Sequence, residues 1–120
     1  MPLLGGDTVK GSTQRSWGVT ALGRATHVPV PSRSGAQVGD GVFVTGALGA
    51  AMLGHAALTG GPRADTAAYL RPIPLLAEGR ALAPLVTAMM DVSDGLLLDA
   101  WRLGTASGVT LDLESASIPV

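Results

Sequence analysis

Cysteine is absent from the 120 residues, which excludes disulfides, thiolate metal sites and a cysteine nucleophile. Aromatic residues are scarce: Trp17, Phe43, Tyr69 and Trp101 are the only ones, so a core must be built from Leu, Val and Ala. Charge is low as well, at 14% of residues, and a net charge of −1 lacks the basic footprint of a general nucleic-acid binder. No apolar run approaches the ~20 residues of a transmembrane helix. The opening M-P-L-L-G-G-D-T has neither the basic nor the apolar region of a signal peptide, so a cytoplasmic location is expected. There is no G-x-x-x-x-G-K-[ST], and no G-x-G-x-x-G between a strand and a helix. Any handling of nucleotide phosphates must therefore proceed without a P-loop. His27 and His55 stand alone, without the spaced partners that zinc or a catalytic triad requires.

What is present is hydrophobic. At 47% apolar the chain is too hydrophobic for a disordered segment, and a packed core in one domain or less is expected. W-G-V-T-A-L-G (17–23), V-F-V-T-G (42–46) and V-T-L-D-L-E (109–114) read as strands, the last alternating as a half-exposed strand does. Residues 47–58 have helical composition and end at Gly60-Gly61, and 62–68 form a polar loop. Tyr69 to Pro74, with two prolines, reads as extended. A helix is expected from about Pro74, broken or restarted near Pro84. The best helix is Asp94 to Ser107, with Leu97, Leu98, Trp101 and Leu103 as its apolar surface and Gly108 as its stop. Alternation of strand and helix signals predicts an α/β or α+β class.

Three stretches carry polar groups suited to chemistry. In G-G-D-T (5–8), Asp7 follows two glycines that let backbone approach a ligand closely; as a hard oxygen donor it suits Mg²⁺, and otherwise it marks a plain turn. In S-R-S-G-A-Q-V-G-D (32–40), Arg33 could fork onto a phosphate, or the stretch is a linker with a surface arginine. In D-V-S-D-G (91–95), Asp91 and Ser93 alternate before Asp94 opens the helix. Ser93 or Asp94 is the expected N-cap, with Asp99 further along. Asp91, between an apolar stretch and a valine, is a poor place for an unpaired acid, and two carboxylates suit a divalent metal held with a nucleotide phosphate. A capped helix start with a spare acid is the competing reading.

In order along the chain, L-L-G-G-D-T-V-K-G (3–11), S-R-S-G-A-Q-V-G-D-G-V-F-V-T-G-A-L-G (32–49), Y-L-R-P-I-P (69–74), M-D-V-S-D-G-L-L-L-D (90–99) and A-S-G-V-T-L-D-L-E-S-A-S-I-P (106–119) resemble the thiamine-monophosphate kinase family, part of the aminoimidazole ribonucleotide synthetase-like superfamily. The resemblance implies Mg²⁺-dependent transfer of the ATP γ-phosphoryl group to thiamine monophosphate, giving thiamine diphosphate. It implies ATP contacts at Gly6, Asp7, Arg33 and Ser93, and Mg²⁺ ligands at Asp7, Asp91 and Asp94. No general base is evident and none is assigned. Phosphoryl transfer needs positioning and charge neutralisation more than a covalent nucleophile, so clustered carboxylates suit it.

The fold implied is a partial two-domain synthetase-like α/β (α+β) arrangement. Residues 1–31 would end an N-terminal β-rich, dimer-forming ATP/Mg domain, 32–41 would be the joint, and 42–120 would begin a C-terminal α/β domain. A homodimer is implied for the full-length family enzyme. The family's G-D-D-A-type acidic motif and its portion after the final I-P have no counterpart here, so the chain is expected to be an internal piece, inactive alone, with apolar edges exposed. Alternatives are a selenophosphate synthetase or hydrogenase-maturation relative, and a truncated, non-catalytic dimerising module.

Overall fold

The computed structural model describes residues 18–120, and its regular structure is helical. In chain order the helices are α1 (Ala50–Leu58), α2 (Ala67–Leu70), α3 (Leu76–Leu82) and α4 (Leu96–Ser107), followed by one 3₁₀ turn at Ser115–Ser117. Glycine sets several of the boundaries. Gly49, at φ +91°, holds a backbone that the preceding turn of a helix cannot have, so α1 begins at Ala50 rather than at 47. Gly95, at φ +112° and ψ +147°, takes the N-cap position of α4, and the helix starts at Leu96, after Ser93 and Asp94. At the other end Gly108 is left-handed at φ +70°, and its neighbour Val109 donates its amide to the Gly104 carbonyl at 3.0 Å, closing α4 as expected.

α1 and α2 pack on each other. Gly54 makes this possible: a Cβ there would lie 3.0 Å from the Asp65 carbonyl oxygen and 3.1 Å from the Thr66 Cα. The rings of His55 and Tyr69 meet across the joint, with centroids 5.0 Å apart. Tyr69 and Leu70 therefore belong to a helix, not to the extended segment expected of 69–74. The cause is local: Asp65 Oδ1 accepts a hydrogen bond from the Ala67 amide at 2.9 Å and starts a helical turn before the prolines intervene. α3 stops at Leu82, before Pro84, whose ring removes an N–H.

No strand occurs among the described residues, so the α/β expectation finds only its helical part. The described part of 17–23, and the whole of 42–46 and 109–114, meet no neighbouring ladder. β-branched alternation raises strand propensity, but a strand exists only when its N–H and C=O groups have a partner. Nor is there a packed core: no hydrophobic side chain of the described residues is fully buried. Phe43 is 92% exposed and Trp101 65%. The radius of gyration, 17.8 Å, exceeds the ~13 Å of a compact chain of this length. Tertiary order comes instead from a few specific ties between distant segments.

Candidate functional site

Most of those ties converge on residues 32–40; the Leu48 amide donates separately to the Pro119 carbonyl at 2.8 Å. The Met89 amide donates to the Ser32 carbonyl at 2.8 Å. Ser107, the last residue of α4, donates its hydroxyl to the Arg33 carbonyl at 2.8 Å and accepts the Ala36 amide at 3.2 Å. Asp40 Oδ2 accepts the Gln37 amide at 2.8 Å and the Thr87 hydroxyl at 2.6 Å. The Thr87 bond, with the Gln37 amide adding to it, holds the Asp40 carboxyl below the usual carboxylate range. Gly35 fits only as glycine, because its φ is +129° and a Cβ would sit 2.5 Å from the Thr87 carbonyl oxygen. The stretch that reads as a linker is thus docked along 87–89 and the end of α4.

Docking brings two of the sequence-predicted residues together. Arg33 and Asp91 line one open cleft of about 480 Å³ with Ser32, Ser34, Met89, Met90 and Ala106. Both side chains are exposed, which suits a ligand carrying its own water and charge. Asp91 therefore does not occupy the buried place that its apolar neighbours suggest. Gly6 and Asp7 lie outside the described residues.

Ser93 and Asp94 are not part of the cleft lining; they turn toward the first half of α4. Their amides both donate to Asp99 Oδ2 at 3.0 Å. Arg102 Nη1 donates to Asp99 Oδ1 at 2.8 Å and to Asp94 Oδ2. Asp99 is the buried acid, 1% exposed. The Asp94 amide, with help from Arg102 and the Ser93 amide, holds its carboxyl below the usual range against the opposing effect of burial. Hydrogen bonds to Asp94 and Asp99 raise the Arg102 guanidinium correspondingly. The cap expected at Ser93 or Asp94 falls on Gly95, and the roles of Asp99 and Arg102 were not among the expectations. The available signal was the (i, i+3) acid–arginine pair inside the apolar run L-L-L-D-A-W-R, where an acid needs a partner.

Among the described residues no group of three or more His, Asp or Glu side chains could form a metal cage. Mg²⁺ seldom uses such a cage; it takes one or two carboxylates and completes its shell with water and substrate phosphates. Asp91 is exposed and hard, which suits that use; the Asp94 carboxylate is exposed as well but is engaged by Arg102.

The chain is 36% identical to thiamine-monophosphate kinase of Halobacterium salinarum over 98% of its own length and 40% of that protein. It is 33% identical to the Escherichia coli K12 enzyme of the same name over 99% of its length and 38% of that protein. For the Mycobacterium tuberculosis H37Rv protein the identity is 38%, over 97% of this chain and 36% of the relative. By sequence, this chain is related to the thiamine-monophosphate kinases. It spans about two fifths of the length of these thiamine-monophosphate kinases. No family model and no solved structure matches it. Among the described residues no helix is long and apolar enough to cross a membrane.

Proposed function

We infer that this chain carries part of an Mg²⁺-dependent ATP:thiamine-monophosphate phosphotransferase, a cytoplasmic enzyme forming thiamine diphosphate and working as a homodimer. The observation that carries the reading is the shared cleft of Arg33 and Asp91, in a chain related along nearly its whole length to thiamine-monophosphate kinases. In this reading residues 1–31 close an N-terminal ATP/Mg domain, 32–41 join it to the next, and 42–120 begin the C-terminal domain.

Arg33 orients a phosphate of ATP, since its planar fork matches two phosphate oxygens at once. Gly6 and Asp7 approach the same nucleotide through backbone and carboxylate. Ser93 adds a hydroxyl contact to ATP. Asp7, Asp91 and Asp94 hold the cation, which when bound neutralises charge on the phosphoryl oxygens. The docked 32–40 segment keeps Arg33 beside Asp91 without relying on a hydrophobic core.

The test is a chimera in which this chain replaces the stretch it matches in the E. coli enzyme. Thiamine diphosphate formation that requires both ATP and Mg²⁺ is expected. Asp91→Asn or Asp94→Asn should lower turnover by about 10²-fold or more, the scale of losing one charge-stabilising group. Undiminished rates in both variants would reject the metal assignment. The 120-residue chain alone is expected to show no turnover.

A further inference from the structure

Asp99 and Arg102 form a local network with no part in the cleft. Every bond in it lies between residues 93 and 102, so it needs no closed core. Asp99 is the one fully buried side chain of the described residues, and both of its oxygens are used. Oδ2 gathers the amides of Ser93 and Asp94 and so sets the path of the chain ahead of α4. Oδ1 anchors Arg102, whose free reach then ends on the Asp94 carboxylate. Charge-assisted bonds of this kind are the stronger class and constrain direction as well as distance.

The geometry points to Asp99 and Arg102 as positioning residues for the Asp91–Gly95 loop: Asp99 fixes the backbone of Ser93 and Asp94, and Arg102 holds the Asp94 carboxylate until a divalent cation takes its place. The second half rests on the cation reading of Asp94 given above. A carboxylate engaged by a guanidinium is available to a cation only for the fraction of time the pair is open. If the pair is closed about four-fifths of the time, apparent cation affinity at Asp94 is lowered about fivefold. In exchange the carboxylate is kept aimed and the loop is not repelled by its own acids.

The 120-residue chain serves for the test, with backbone amides followed by nuclear magnetic resonance and Mn²⁺ as the paramagnetic probe. Asp99→Asn should lower hydrogen-exchange protection of the Ser93 and Asp94 amides about tenfold or more while the amides of the last turn of α4 keep theirs. Unchanged protection at both amides overturns the positioning role. Loss of α4 as a whole also overturns it, since Asp99 would then serve helix formation and not the loop. Arg102→Gln leaves the amide bonds of Asp99 in place and should bring the Mn²⁺ midpoint at Asp94 down about fivefold. Equal midpoints in wild type and variant overturn the counter-ion role. An Asp94 untouched by Mn²⁺ in either protein overturns that role together with the cation reading. The exchange measurement uses no cation, so it separates a failed positioning role from a failed metal site.

Discussion

A carboxylate that accepts hydrogen bonds from fixed donors is stabilised in its charged form, and Asp40 is the clearest case in the docked segment. Its folded pKa lies below the unfolded one, so the stabilisation is complete above the ordinary carboxylate range and is lost as pH falls through the lowered folded value. We therefore predict that the Gln37 amide and the Thr87 hydroxyl stay tied to Asp40 through the ordinary carboxylate range and are released only as pH falls below it. Resonances of both groups followed against pH should share a midpoint below that of a free aspartate, and Asp40→Asn should abolish it. A midpoint at or above the ordinary value would mean that the tie does not form. Single residues were unevenly legible. Arg33 and Asp91 stand out because arginine among small residues and acid among apolar ones each ask for a partner. Asp99 asked the same question from within L-L-L-D-A-W, yet helical phase alone does not say that a carboxylate will fold back on the amides before its own helix.

The four helices separate two kinds of glycine. Gly79, inside α3, has nothing within 4 Å of a notional Cβ, so Gly79→Ala should stabilise the helix by about 1 kcal/mol through propensity alone. Gly104, inside α4, would place its Cβ 2.7 Å from the Val109 carbonyl oxygen and 3.0 Å from Leu111 Cδ1. There the steric cost should outweigh the same propensity gain, so Gly104→Ala should destabilise by about 1–3 kcal/mol. Thermal melts followed by circular dichroism at 222 nm should move in opposite directions for the two variants; a shared direction would contradict the packing of 109–111 on α4. Three of the four helices were legible, because their stop signals at Gly60, Pro84 and Gly108 are local; α2 was not, because its residues read as a polar loop running into an extended segment. The expected strands were not, because alternation announces only half of a ladder. The other half is a neighbouring chain segment that no pattern within 17–23, 42–46 or 109–114 identifies.

At the scale of the molecule, hydrophobicity and burial part company. Composition predicts a core, but the large apolar side chains of the described residues stay in contact with solvent, Leu97 at 74% exposure among them. Apolar content reports how much surface gains by burial, about 1.5–3 kcal/mol for each large side chain fully covered, and says nothing of what covers it. The groove of about 520 Å³ between α4 and residues 108–113, lined in part by Leu97, Trp101, Leu111 and Leu113, is one such surface. We expect the chain on its own to bind a hydrophobic fluorescent dye strongly and to melt over a broad, weakly cooperative range. A sharp transition with no dye binding would show that the apolar faces close on one another in solution.

Helix α4 also works as a gauge. Its first turns hold the Ser93–Asp94 backbone through Asp99, and its last residue holds Arg33 and Ala36 through Ser107. Twelve residues make a rod about 18 Å long, turning about 100° at each step. One residue inserted between Arg102 and Ser107 would swing the serine a quarter-turn or more away from the segment it pins, although every motif stayed intact. The interval between the motifs is thus a fixed length, set by the number of residues in α4 as well as by their side chains.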